Sequence, residues 1–139
     1  MFEAMGRPVA HPAAWDRACA RRITELLTAP GRDRRLIAVV IDDDRAAGQL
    51  AASAMAEIAD RLPDPTDGTA RWAYVSSVST DPRHRRRGFA RAVMTALLAE
   101  VRAAGATRIE LHATPDGEAL YRELGFARFE RNPEMRFAG

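Results

Sequence analysis

A chain of 139 residues is long enough to bury one sizeable core, and residues 1–139 read as a single domain. Apolar residues make up 47% of the chain and charged residues 29%, which excludes disordered and fibrous classes. The formal charge of +2 leans only faintly toward anionic ligands and argues against a nucleic-acid partner.

Residues 12–29 read as a helix. Trp15, Ala18, Cys19, Ile23, Leu26 and Leu27 recur at helical spacing, Pro12 sits near the first turn, and Pro30-Gly31 ends the run. Cys19 is the lone cysteine, so no internal disulfide forms and a reducing, cytoplasmic setting is expected. Its place in the stripe suggests a small buried side chain rather than a nucleophile. A short β-branched strand follows at 35–41, then a turn-rich link at 42–48. The stretch 49–63 alternates Leu50, Ala52, Ala54, Ala56 and Ile58, as an antiparallel partner would. The segment "PDPTDG" (63–68) breaks the chain before a strand at 70–80.

The clearest helix starts at Gly88. Ala90, Val93, Met94, Leu97, Leu98 and Val101 form one apolar stripe, and Gly105 closes it. A strand at 107–113, a short helix at 116–124 and a last strand at 125–130 complete the pattern, with 134–137 as a further short edge. No apolar run approaches the roughly 20 residues of a membrane span, and the N-terminus lacks a signal-peptide pattern. Hairpins followed by strand–helix–strand crossovers require antiparallel and then parallel pairing. The expected fold is therefore α/β, with a mixed central sheet and helices on both faces.

The segment "DPRHRRRG" (81–88) leads from a strand directly into a helix. Cations at a helix start oppose the helix dipole, so an anion is needed to rationalise them. Unpaired backbone N–H groups of the first turn supply an oxyanion or phosphate seat. Gly88 lets such a group approach the bare backbone, Ala90 keeps the next turn open, and the arginines can bond the remaining oxygens. No G-x-x-x-x-G-K-[ST] or G-x-G-x-x-G pattern exists here. A single-strand nucleic-acid patch would want aromatics among the cations, and only Phe89 is nearby.

"RRRGFA" (85–90) resembles the R/Q-x-x-G-x-G/A signature of the GNAT superfamily of acetyl-CoA-dependent N-acetyltransferases, with Arg85, Gly88 and Ala90 at its fixed positions. The preceding "VSTDP" (78–82) is similar to that family's strand end. "LYRELGF" (120–126) resembles its second signature, and the two motifs stand in the family's order with a strand between them. The resemblance covers residues 35–130. It implies a splayed sheet whose loop amides, with Arg85, Arg86, Arg87, Gly88, Phe89, Ala90 and Arg91, hold the diphosphate of acetyl-CoA. It also implies that the peptide-like pantetheine arm pairs with the backbone of Val78, Ser79 and Thr80. An asparagine common in the family after the next strand is Thr114 here, so Thr114 or Asp116 takes its place beside the coenzyme. No metal is implied.

Acetyl transfer to an amine needs a proton for the leaving thiolate and a base for the ammonium. The resemblance places Tyr121 as the general acid, against the plain alternative of a core aromatic. Glu57, opposite in parity to the apolar residues of its strand, is the candidate base, or else a solvent-facing glutamate. His112 rivals it, with Glu110 on the same parity, and Ser76 and Ser77 could hold a water. The implied activity is acetyl transfer from acetyl-CoA to a primary amine, with a non-catalytic acyl-CoA-binding module as the alternative. Members of the family also carry a strand ahead of the first helix that this sequence does not show. The domain is thus expected to be N-terminally short, with an open edge beside 35–41 that favours a homodimer.

Overall fold

Alternating alanines decide how closely the sheet and its main helix can approach. The computed structural model describes residues 12–28, 35–63, 65 and 71–129. Its elements run α1 (Pro12–Thr28), β1 (Leu36–Asp42), β2 (Leu50–Asp60), β3 (Arg71–Thr80), α2 (Phe89–Ala103), β4 (Arg108–Leu111) and α3 (Glu118–Glu123). Strand β2 turns Ala52, Ala54, Ala56 and Ile58 inward, and α2 lies over them with Val93, Met94, Leu97, Leu98 and Val101 buried. Small side chains on the strand leave room for long ones on the helix, and both sets are buried where they meet. Leu50, expected in the same inward row, is exposed instead. The β1–β2 register shifts between Ile41 and Asp42, which puts Leu50 out of the inward row while Ala51 beside it is buried.

The sheet order is β1-β2-β3-β4, with the first two pairings antiparallel and β3–β4 parallel, joined by α2 as the crossover. This is the mixed α/β sheet expected from the sequence. Helix α1 contacts β1, with Ile23 and Leu26 half-buried and Cys19 only half-buried too. The side chain of Trp15 lies outside the described ones.

Two features shape the sheet at the site. Ser77 adopts a left-handed φ of 55°, and Ser77 and Val78 together oppose the single Ala54, a bulge that bends β3. Strand β4 pairs only with Trp72–Val75, so the last five residues of β3 run on past its end. The β3–β4 ladder therefore ends at Val75 and Leu111, and Ser76–Thr80 have no partner in β4.

The strand expected at 125–130 is not formed over 125–129. Helix α3 ends in a glycine cap that consumes Gly125 and Phe126: Gly125 N–H donates to Arg122 C=O (3.0 Å) and Phe126 N–H to Tyr121 C=O (2.9 Å). Arg128 then grips Glu118 of α3 through two bonds of 2.8 and 2.7 Å. The chain folds back on its helix instead of pairing with β4. The expected edge at 134–137 lies outside the described residues.

Candidate functional site

The loop between β3 and α2 is built around Asp81. Its carboxylate accepts from the Arg83 backbone N–H (2.8 Å) and from the Arg83 guanidinium (3.0 and 3.1 Å). Those bonds hold its pKa down to about 2. Arg83 also reaches Asp43 Oδ2 (3.0 Å) and Gln49 Oε1 (3.2 Å), so it ties the loop base to the β1–β2 turn. A single 3₁₀ turn, Pro82–His84, carries the chain to Arg85, Arg86 and Arg87, all exposed.

Arg86 (φ 61°) and Gly88 (φ 82°) are both left-handed, and the bend they make brings the chain into α2 with Gly88 as its N-cap. Gly88 offers no side chain to cap the helix, so the first-turn amides keep their donors and the positive dipole end stays open. A Cβ built on Gly88 would meet nothing within 4 Å. Three exposed arginines thus lead directly into a helix start whose first-turn amides are uncapped. That is the arrangement an anion with several oxygens requires.

Phe89 and Ala90 are half-buried in the first turn. Arg91 forms an ion pair with Glu123, joining α2 to α3. Val78, Ser79 and Thr80 are half-buried on the stretch of β3 beyond the end of β4. The Thr80 hydroxyl is buried with no hydrogen-bond partner among the described residues. Thr114 is exposed, and its carbonyl accepts from the Gly117 and Glu118 N–H groups (3.0 and 3.1 Å), starting α3.

Tyr121 is held on three sides. Its ring packs edge-on to Phe126 (6.1 Å between centroids) and against the core, and burial pushes the phenol pKa up. On the third side lies Gly117, where an added Cβ would stand 2.8 Å from the ring edge and 3.3 Å from the Thr114 hydroxyl. Gly117 is a seat for Tyr121 that the sequence pattern did not single out.

The sheet face turned away from α2 carries the candidate bases. Glu57 pairs across with Tyr74, and Tyr74 with Glu110, so the three form one row. Glu57 is exposed on this face, as its parity requires, and His112 lies beyond the end of β4. The Tyr74 hydroxyl stands 2.5 Å from His112 Nδ1, a contact that sequence spacing could not reveal because 38 residues separate the pair. Ser76 and Ser77 fall at the bulge. Two further residues escaped the sequence reading, His84 and Asp43, both buried beneath the arginine loop. Among the described residues no three His, Cys, Asp or Glu side chains group to hold a metal, and no helix is long and apolar enough to cross a membrane.

A family model described as "Acetyltransferase (GNAT) family" matches residues 7–126. The chain belongs to the GNAT acetyltransferase family. Solved structures agree in fold. A predicted acetyltransferase with acetyl-CoA from Clostridium acetobutylicum is 22% identical, with a TM-score of 0.74, covering 92% of this chain and 79% of that one. Glucosamine-6-phosphate N-acetyltransferase from Arabidopsis thaliana is 17% identical (TM-score 0.75, covering 99% and 89%). A GCN5-related N-acetyltransferase from Ralstonia eutropha is 24% identical (TM-score 0.73, covering 98% and 85%). No curated protein matches the sequence. For this GNAT protein the matched span takes in both the arginine–glycine loop and the Tyr121 helix.

Proposed function

We propose that this GNAT protein transfers the acetyl group of acetyl-CoA to a primary amine of a small molecule or peptide. The observation that carries the reading is the uncapped start of α2 directly after the exposed Arg85, Arg86 and Arg87, with nothing within 4 Å of where a Gly88 Cβ would stand. A diphosphate fits that space in charge and in donor count. The Clostridium neighbour, which carries the same fold, is described with acetyl-CoA.

In this reading the loop amides and arginines bind the diphosphate. The bulged backbone of Val78, Ser79 and Thr80 receives the peptide-like arm, and Thr114 lies at the far side of the wedge. Acetyl-CoA supplies an activated thioester. The acceptor ammonium gives a proton to Glu57 directly or through water, with His112, next to Tyr74, as the other candidate on that face. As the new N–C bond forms and the S–C bond breaks, Tyr121 donates its phenolic proton to the departing thiolate, and the second proton released by the acylated nitrogen restores the phenol. A phenol is protonated at neutral pH, and burial pushes its pKa further up.

The test is a thiol-release assay with acetyl-CoA and a panel of amines. Turnover on at least one amine is expected. Tyr121→Phe should then cut kcat by about 10²–10⁴-fold, with coenzyme affinity nearly unchanged. Coenzyme binding without turnover on any amine would instead support a non-catalytic acyl-CoA-binding module.

A homodimer belongs to the same proposal. Among the described residues β1 is an edge strand, Val40 on it is exposed, and a cleft beside it is lined by Leu27, Val40, Ala96 and Glu100. Light scattering that finds only monomer at high micromolar concentration rejects the dimer.

A further inference from the structure

Asp43 and His84 are the buried charged or titratable side chains among the described residues, and the chemistry above uses neither. Asp43 sits in the turn after β1 and His84 ends the 3₁₀ turn after β3, so the chain brings them together from opposite sides of the loop. We propose that Asp43 and His84 form a positioning relay that sets the Arg87 guanidinium for a phosphate of the coenzyme. This rests on the coenzyme reading above.

The hydrogen-bond chain has one consistent direction. Arg87 Nη1 lies 2.7 Å from His84 Nδ1, and a guanidinium can only donate. Nδ1 is therefore the bare, accepting nitrogen, and Nε2 carries the proton. Nε2 in turn stands 3.1 Å from Asp43 Oδ2, an acceptor. Asp43 is held ionised by two further donors, the Arg45 backbone N–H on Oδ1 (2.9 Å) and the Arg83 guanidinium on Oδ2 (3.0 Å). Together with His84 they lower its pKa. The opposite tautomer would set two N–H groups face to face at Arg87 and leave Asp43 without the imidazole donor.

Packing fixes the ring as firmly as the bonds do. His84 stacks on Phe89 with centroids 5.8 Å apart and planes 28° apart, and the Arg87 guanidinium lies 4.8 Å above the same Phe89 ring. Arg87 is thus held on two sides while remaining exposed on the others, and its other N–H donors stay available to a ligand. No comparable contact holds the Arg86 side chain among the described residues. A cation already oriented loses less rotamer freedom on binding than a free one, which is where the relay would act.

The experiment is a calorimetric double-mutant cycle with acetyl-CoA on the full chain, using Arg87→Met, His84→Phe and the double variant. His84→Phe keeps a ring to stack on Phe89 but removes both nitrogens. Arg87→Met is expected to weaken binding about tenfold through loss of a charge-assisted bond. His84→Phe should weaken it by about fivefold through lost pre-organisation, and the double variant should be no weaker than Arg87→Met alone. Wild-type affinity for His84→Phe, or losses that multiply in the double variant, overturns the relay while leaving the coenzyme reading standing. No binding by the unmodified protein overturns the coenzyme reading and the relay with it. Nitrogen NMR of the unmodified protein supplies a measurement that needs no variant: the His84 imidazole should carry its proton on Nε2, and an Nδ1-protonated ring would overturn the relay directly.

Discussion

Gly88 and Gly117 both need to be glycine, for different physical reasons. Gly88 sits at a φ of 82°, which costs a residue with a Cβ about 1–2 kcal/mol. The space beside it is empty, and in the proposed complex a phosphate fills it. Gly88→Val should therefore melt at a lower temperature yet stay folded, and should lose acetyl-CoA binding in calorimetry. A folded variant with wild-type affinity would remove the diphosphate from this loop. Gly117 has an ordinary helical backbone, where alanine usually stabilises by about 0.4–1 kcal/mol. Here the added Cβ would press on the Tyr121 ring at 2.8 Å, and Phe126 and the core restrict where the ring can go. Displacement of the phenol wins in the activity. Gly117→Ala should lower kcat by about 10–100-fold with coenzyme affinity within a factor of about two. A variant with unchanged kcat would mean that the exact seat of Tyr121 does not matter. The loop glycine was legible in the sequence because a strand, a cation run and a helix start surround it. Gly117 stands one turn before Tyr121 in the helix read at 116–124, but spacing alone does not show that the ring lies close enough to exclude a Cβ.

At the scale of elements, the base of the arginine loop is tied to Arg83 through the Asp81 carboxylate. Folding depresses the Asp81 pKa from 3.8 to about 2, chiefly through the Arg83 guanidinium and its backbone N–H. A carboxyl lowered in this way stabilises the fold above its ordinary pKa, and the contribution is lost as pH falls toward the folded value. Asp81→Asn should accordingly lower the melting temperature at pH 7, and the gap to wild type should close between pH 3.8 and about 2. A gap that stays constant through that window would show that shape, not charge, is what Asp81 contributes. The elements themselves were largely readable. The α2 stripe, the alternation of β2 and the crossover to a parallel β4 all follow from periodicity, which burial imposes on the sequence. What periodicity could not give were the places where a local bond outweighs it. Ser77 carries no sign of a bulge in its side chain, because the bulge arises from register with Ala54. The run 125–130 reads as a last strand, but the Gly125–Phe126 cap and the Arg128–Glu118 pair hold 125–128 to α3. The same cap explains the second motif physically. Phe126 folds back over the helix end and meets Tyr121, the residue whose C=O it bonds, so glycine and phenylalanine together orient the tyrosine.

For the whole molecule, the proposed ligand would touch the elements that the core depends on most. The loop starts α2, whose buried residues pack over β1, β2 and β3, and the wedge is the end of β3 itself. A ligand bound there cannot dissociate the loop's stability from that of the core, so its effect should appear as a shift of one cooperative transition. At a concentration 100 times its Kd, a ligand that binds only the folded state adds about 2.7 kcal/mol. With about 2.1 cal/mol/K of unfolding entropy per residue over 139 residues, the melting temperature should rise by about 9 °C. Pantetheine, which lacks the diphosphate, should give a much smaller rise at the same concentration, because it leaves the α2 start and the three arginines without an anion. Equal shifts from the two compounds would place the binding energy in the wedge and not in the arginine loop. No shift from acetyl-CoA at millimolar concentration would mean that the charged, uncapped helix start serves some other anion.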